Sequence, residues 1–371
     1  MNPQHLFKNP QTQLQTLTII HSICPSTMKL TLFLLLLLLP SPTNSIRIHS
    51  TNNSLQPPQY KEAPKFLNND HCKNSRQTVH VAMTLDLKYL RGSIASVHSI
   101  LKNSECPQNI HFHFITTTPT TLTLSSIIQS TFPNLHFNTY PFHNEHKIKQ
   151  LISHSIRPAL ENPLNYARIY LTNILDPSIT RAVYIDSDTI LVDDIQKLWS
   201  VELTGSRVIG APEYCHTNFT SYFNDRFWAD PRLPRRAFEG KKKRPCYFNT
   251  GVLVLDLERW RRGDYTEKME EWMEIQKEKR IYELGSLPPL MLVFGGEIEG
   301  IDHRWNQHGL GGDNVVNSCR SLHPGEVSLM HWSGKGKPWV RLDQGRPCPV
   351  DHLWSPYDLF EHTSAPLVHT F

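Results

Sequence analysis

The sequence predicts an α/β fold, a mostly parallel twisted sheet flanked by helices. Three observations point there. Apolar runs of strand length alternate with stretches of helical spacing, the pattern of βαβ units. The chain has 371 residues, enough for one large or two modest domains with a full core. A strand in mid-chain ends in two carboxylates, and in parallel sheets ligands bind outside the carboxyl ends of the strands.

The elements follow in order. Residues 79–85 read Val-His-Val-Ala-Met-Thr-Leu, a buried strand. Ile94, Val97, Ile100 and Leu101 then fall at helical spacing within 92–101. Residues 109–115 alternate as a second strand, a helix is expected near 121–131, and a short strand near 135–140. Residues 183–188 read Val-Tyr-Ile-Asp-Ser-Asp, and Asp193-Asp194 is placed to cap a helix toward Leu198 and Trp199. Residues 247–256 form a strand with a polar entrance at Asn249, which leaves Asn249 and Asp256 as its site candidates.

Composition excludes several classes. Apolar residues make up 39% and aromatics 10%, so the chain is not intrinsically disordered. With 38 Lys+Arg against 34 Asp+Glu, the net charge of +4 does not describe a nucleic-acid binder. No apolar run reaches the roughly 18 to 20 residues that span a bilayer. No fixed-period repeat is present.

The N-terminus reads as a targeting segment. Lys29 precedes the apolar stretch 30–39, which contains six consecutive leucines from Leu34 and ends at Pro40. Thr43-Asn44-Ser45 offers a small-x-small cleavage site. Met28 stands where such a peptide begins, so residues 1–27 are expected to be an upstream extension. Residues 28–45 are then a cleaved signal peptide or a short uncleaved signal-anchor. Both place the remainder in the secretory lumen. Residues 46–76, rich in Pro, Ser, Thr and Asn, read as a stalk, and 77–371 as a single catalytic domain. Asn52 and Asn218 lie in glycosylation sequons. Beyond Cys24, six cysteines remain, enough for three disulfides in 15 pairings, and none forms a C-x-x-C pair.

The chemistry-bearing residues lie far apart. Asp186 and Asp188 are at i and i+2, on one side of an extended chain, and suit Mg²⁺ or Mn²⁺ with positions left for phosphate oxygens. His331 ends a predicted strand and can supply a third ligand. The glycine- and lysine-bearing stretch 332–339 lets backbone N–H groups approach phosphate. Residues 230–246 carry Arg232, Arg235, Arg236, Lys241, Lys242, Lys243 and Arg244 with little acid, and could face an acidic sugar or polysaccharide.

Asp-Ser-Asp at 186–188, Tyr-Phe-Asn-Thr-Gly-Val at 247–252 and His-x-x-Gly-x-x-Lys-Pro-Trp at 331–339 together resemble glycosyltransferase family 8. The stretches 214–219, 284–289 and 304–314 resemble its plant galacturonosyltransferase-like subfamily. The resemblance spans about 78–358. It implies a GT-A nucleotide-sugar transferase fold and a retaining, metal-dependent transferase. The expected donor is a UDP-sugar, UDP-galacturonic acid by the subfamily's name, and the acceptor a cell-wall polysaccharide, pectin or xylan, in the Golgi lumen. Asp186, Asp188 and His331 would hold Mn²⁺. Thr84 and Asp86 would meet uridine, and Asn249 and Gly251 the sugar or acceptor. Gly334 and Lys337 would lie near the diphosphate and Arg168 near the sugar, with Lys337 and Arg168 acting electrostatically. Gln307, His308 and Asp313 are the polar candidates for acceptor binding or base. One departure stands out: 284–289 reads Leu-Gly-Ser-Leu-Pro-Pro, where family members carry an acidic or amide residue facing the anomeric carbon. No covalent nucleophile is therefore assigned. A catalytically silent partner of another Golgi transferase is the alternative reading, and a carbohydrate-binding module without turnover a third.

Overall fold

The computed structural model describes residues 58–74, 77–241 and 243–362. The expected upstream extension, the signal segment and Asn52 lie outside them. Eleven strands are described: β1 (Val79–Thr84), β2 (Ile110–Thr116), β3 (His136–Pro141), β4 (Arg181–Ile185), β5 (Thr189–Leu191), β6 (Ile209–Ala211), β7 (Glu213–Tyr214), β8 (Tyr247–Phe248), β9 (Val252–Asp256), β10 (Glu299–Gly300) and β11 (Leu329–His331).

Seven form one sheet in the order β10-β6-β9-β4-β1-β2-β3. Strands β1, β2, β3 and β4 run parallel, as do β6 and β10, whereas β9 runs antiparallel to both β4 and β6. The mostly parallel expectation therefore holds. The helices at Leu90–Asn103 and Thr121–Thr131 lie where the periodicity puts them.

Period-two alternation sorts the core. Val79, Val81 and Met83 of β1 face the helix carrying Ile94, Val97 and Ile100. Ala82 faces the other way, with Ala182 and Tyr184 of β4 and Leu253 and Leu255 of β9. Leu90, Ile94, Val97 and Ile100 are wholly buried, and each contributes about 1.5–3 kcal/mol in water-to-core transfer.

The sequence from β1 leads to β2 on one side, while β4 pairs on the other. The carboxyl ends of β1 and β4 thus lie side by side at a topological switch point, where a crevice opens. Val252, at the start of antiparallel β9, sits opposite Ile185, so Asn249 to Gly251 enter at the same edge.

The six described cysteines pair as Cys72–Cys106, Cys215–Cys246 and Cys319–Cys348. Loops of about 30 residues are closed each time, worth ~3.5 kcal/mol apiece in chain entropy. The expected stalk differs over its described part. Lys61 N–H donates to the Leu359 carbonyl at 2.8 Å and Ala63 N–H to Thr131 at 2.7 Å, Ala63 is buried, and Cys72 is tied to Cys106. Apolar Ala63 and Phe66 find cover on the second core cluster, so these residues pack with the domain rather than trailing from it.

Candidate functional site

Asp186, Ser187 and Asp188 make the turn between β4 and β5. Ser187 Oγ donates to the Thr84 carbonyl at 2.8 Å, Thr189 Oγ1 to the Asp186 carbonyl at 2.9 Å, and Asp186 N–H to the Gly251 carbonyl at 2.8 Å. The turn is therefore fixed to β1 and to the entrance of β9. Antiparallel pairing of β5 with β11 sets His331 opposite Thr189, and Trp332 N–H donates to the Asp188 carbonyl at 2.8 Å. This small ladder brings His331 to the carboxylates.

Each of the three side chains has one polar atom held by a partner outside the trio. Asp186 Oδ1 accepts from Arg168 Nη2 and from the Tyr184 hydroxyl, both at 2.9 Å. Asp188 Oδ2 accepts from Lys337 Nζ at 2.5 Å. His331 Nδ1 meets Asn306 Oδ1 at 3.0 Å, which fixes the tautomer with Nδ1–H donating. The remaining atoms converge: His331 Nε2 lies 3.1 Å from Asp188 Oδ1 and 3.8 Å from Asp186 Oδ2. All three candidate donor atoms fall within 4.8 Å of one another. Six-coordinate Mg²⁺-sized ions separate adjacent donors by about 3 Å and opposite ones by about 4.2 Å, so two oxygens and an imidazole at this spacing fit such a cation.

Electrostatics hold the Asp188 carboxylate ionised. Burial alone would raise the Asp188 pKa, but Lys337 and His331 outweigh it and hold the carboxyl well below its ordinary range. Arg168 is fully engaged, with Nε donating to the Asn165 carbonyl at 3.2 Å and Nη1 to Thr250 at 2.5 Å. Lys337 Nζ also donates to the Trp332 carbonyl at 2.7 Å. Gly251 is required by space: a Cβ there would lie 2.2 Å from His331 Cε1 and 2.7 Å from Asp186 Oδ2. Gly334 is required by backbone, at φ +110°, with the Gly312 carbonyl 2.1 Å from where a Cβ would stand.

A cleft of about 400 Å³ opens from these groups. Thr84, Asp86, Arg168, Asp186, Asp188, Asn249, Gly251, His308, Asp313, His331, Gly334 and Lys337 all line it, so residues up to 253 positions apart meet in one wall. Leu284, Gly285, Ser286 and Leu287 line it too, which puts the apolar departure inside the cleft. Tyr222 and Tyr247 stack there with ring centroids 4.7 Å apart.

Other expectations change. Gln307 does not line the cleft. It is buried, its side-chain oxygen accepts from His323 N–H at 2.6 Å, and its backbone bridges Leu329 and His331. Asp313 lines the rim, but its carboxylate accepts from the N–H groups of Val315 and Val316, which lower its pKa, so it braces its own loop. Burial, then the nearby His331 and His323, lowers the His308 pKa to about 3. Asp256 sits at the far end of β9 from Asn249 and caps the next helix by accepting from Arg259 N–H at 2.8 Å.

The basic stretch is largely neutralised in place. Arg232 pairs with Asp230, Arg235 with Glu239, Arg236 with Glu271, Lys241 with Glu297 and Lys243 with Glu213. Local acids that the sequence scatters from 213 to 297 supply the partners. Asp194 caps its helix as expected, accepting from Gln196 N–H at 2.8 Å. Asn218 is exposed, with its side-chain oxygen accepting from Thr220.

Sequence reasoning passed over Asn306, Arg157, Asn162 and Arg320. Asn306 lies inside a quoted motif, but its role depends on His331, which no spacing reveals. Its Nδ2 also donates to Asn249 Oδ1 at 3.1 Å and so ties two motifs together. Asn162 Nδ2 donates to Asp86 Oδ2 at 3.3 Å.

A sheet of this order, with a carboxylate turn at its switch point, has the GT-A glycosyltransferase fold. The galactosyltransferase LgtC, solved with donor and acceptor sugar analogues, shares it at a TM-score of 0.54 and 19% identity, over 76% of this chain and 95% of that one. The bifunctional glycosyltransferase WbbM, in its apo form, aligns at a TM-score of 0.51 and 16% identity, over 77% of this chain and 52% of that one. The chain belongs to glycosyl transferase family 8, whose sequence pattern matches residues 80–343. In Arabidopsis thaliana, "probable galacturonosyltransferase-like 9" is 61% identical, with 82% of this chain and 80% of that protein aligned. "Probable galacturonosyltransferase-like 10" is 62% identical over 80% of this chain and 84% of that protein.

Proposed function

We propose that this chain is a retaining, metal-dependent glycosyltransferase. It moves a sugar from a UDP-sugar, UDP-galacturonic acid by the names of its relatives, to a cell-wall polysaccharide such as pectin or xylan. The observation that carries the reading is the convergence of three donor atoms, Asp186 Oδ2, Asp188 Oδ1 and His331 Nε2, on side chains each held by a partner at its other polar atom. Asp186, Asp188 and His331 would hold Mn²⁺ or a similar cation, which when bound supplies Lewis-acid stabilisation of the diphosphate.

The chain's own residues do the rest. Gly334 leaves room for phosphate oxygens, and Lys337 stands ready to neutralise charge as the glycosidic bond breaks. Lys337 also holds Asp188, and Arg168 holds Asp186, so both cations position the donor set. Asn249 and Gly251 border the sugar, and Thr84 and Asp86 the uridine. The cleft segment 284–287 offers only the Ser286 hydroxyl, so front-face attack fits better than a covalent intermediate. The acceptor oxygen bonds to the anomeric carbon on the face the phosphate leaves, and the phosphate oxygen takes the acceptor proton. Three disulfides agree with a lumenal site of action, the Golgi. No helix of the described residues is long and apolar enough to cross a membrane.

Calorimetry of UDP with and without Mn²⁺ tests this. Binding should require the metal, and Asp188→Ala should abolish it while the chain stays folded. A folded Asp188→Ala chain with unchanged affinity would sink the metal assignment. The apolar 284–287 segment favours the silent-partner reading, which predicts no sugar transfer and no UDP release from any UDP-sugar.

A further inference from the structure

Four arginine or lysine side chains line the cleft among the described residues: Arg157, Arg168, Arg320 and Lys337. Two are committed, Arg168 to Asp186 and Lys337 to Asp188. Neither Arg157 nor Arg320 forms a close ion pair among the described residues, although Arg320 acts on Asp313 at longer range.

Arg157 is anchored yet unsatisfied. Its Nη1 donates to the Gly334 carbonyl at 3.2 Å, while its Nε is buried without a hydrogen-bond partner. A buried guanidinium N–H left unpaired is unfavourable, and a shift of the side chain toward an acceptor in the cleft would relieve it. Arg320 stands near the same wall. Its Nη1 lies 3.5 Å from where a Cβ on Gly309 would be, and Gly312, three residues on, packs against Gly334. The Cys319–Cys348 bridge tethers the loop that carries Arg320.

Resting on the nucleotide-sugar reading above, we propose that Arg157, assisted by Arg320, recognises the carboxylate of a uronic acid on the donor. A planar fork of N–H groups matches a carboxylate in two parallel bonds, whereas a neutral sugar offers only hydroxyls. The diphosphate already has the metal donor set. Among the described residues of the basic stretch, Arg232, Arg235, Arg236, Lys241 and Lys243 are neutralised by partners and Arg244 does not line the cleft. The carboxylate is thus read inside the cleft, by residues that sequence charge counting overlooks.

UDP-galactose and UDP-galacturonic acid differ only at C6, alcohol against carboxylate, which makes them the probes. Affinities of both, and of UDP, are measured calorimetrically with Mn²⁺ for the full chain and for Arg157→Gln, Arg157→Lys and Arg320→Gln. The unmodified chain should prefer the uronic acid by about 10- to 100-fold, the range for a charged bidentate pair. Arg157→Gln should remove that preference and leave UDP and UDP-galactose within about threefold, which also shows that the variant folds. Arg157→Lys should keep part of the preference, since charge survives but the fork does not. Arg320→Gln should reduce it less. Equal weakening of all three ligands by Arg157→Gln would overturn the assignment and move Arg157 to the diphosphate. An unmodified chain that binds both sugars alike would also overturn it, leaving the transferase reading intact. A chain that binds no nucleotide at all would overturn both.

Discussion

Replacing Gly251 by alanine puts a methyl carbon 2.2 Å from His331 Cε1 and 2.7 Å from Asp186 Oδ2. Non-bonded carbons settle at about 3.5–4.0 Å, so the imidazole has to retreat by more than about 1 Å or the β9 entrance has to move. Neither neighbour is loose: His331 is buried and held by Asn306, and Asp186 is held by Arg168 and Tyr184. Metal donors tolerate displacements of only about 0.2 Å. Two of three donors are disturbed together, so affinity for UDP in Mn²⁺ should fall by at least ~100-fold. Overpacking should lower stability by about 1–3 kcal/mol, too little to unfold a typical domain. Calorimetric titration of UDP at fixed Mn²⁺, paired with thermal unfolding, separates the two effects. Gly300→Ala is the control, because its nearest neighbour would stand 3.4 Å away. A folded Gly251→Ala chain that binds UDP within about threefold of the parent would refute the close-approach argument.

Asn306→Leu should weaken metal-dependent UDP binding by about 10- to 100-fold, because His331 Nδ1–H loses its acceptor; an unchanged Mn²⁺ titration would count against that support. Burial first, with His111 and His80 adding to it, lowers the His113 pKa to about 3. Between the unfolded value near 6.5 and that folded value, only the unfolded chain takes up the proton, so stability falls as pH falls, by about 2 kcal/mol at pH 5. His113→Gln should remove that part of the slope in denaturant titrations at pH 7 and pH 5, and parallel slopes would contradict it. Replacing Cys319 and Cys348 together by serine should cost ~3.5 kcal/mol and lower the melting temperature, whereas an unchanged melt would show the bridge is not stabilising. Lys243→Glu should leave affinity for UDP-galacturonic acid unchanged, since Lys243 faces Glu213; a selective loss would restore the basic stretch to substrate recognition.

The strands at 79–85 and 183–185 were readable because parallel sheets bury both faces and write themselves as apolar runs, and 109–115 because its residues alternate. Short polar-edged strands such as β5 and β10 carry no such signal, and β5 is the one that delivers His331. Asp186 and Asp188 were legible from their place at a strand end, and Lys337 and Gly334 from a motif. Asn306 and Arg157 were not, because their roles are set by partners 25 and 177 residues away. The charge of 232–244 misled for the same reason. Its acids come from Glu213, Glu271 and Glu297, so a local count finds excess where the fold finds pairs. Gln307 and Asp256 looked functional as polar residues beside motifs, but burial and a helix cap account for them.

Asp188 and Lys337 are 149 residues apart, and their ion pair closes the site. During synthesis that interval lasts about 7 to 30 s. Throughout it, Asp188 lacks the lysine and histidine that offset its burial, so the turn after β4 cannot reach its final packing early. Completion of the cleft therefore coincides with the last part of the chain to arrive. A protein shortened before residue 331 can pair β1 through β4 yet hold Asp188 without the lysine and histidine that offset its burial. Such a chain should persist incompletely folded, and the nucleotide binding proposed above would report whether the cleft has been completed.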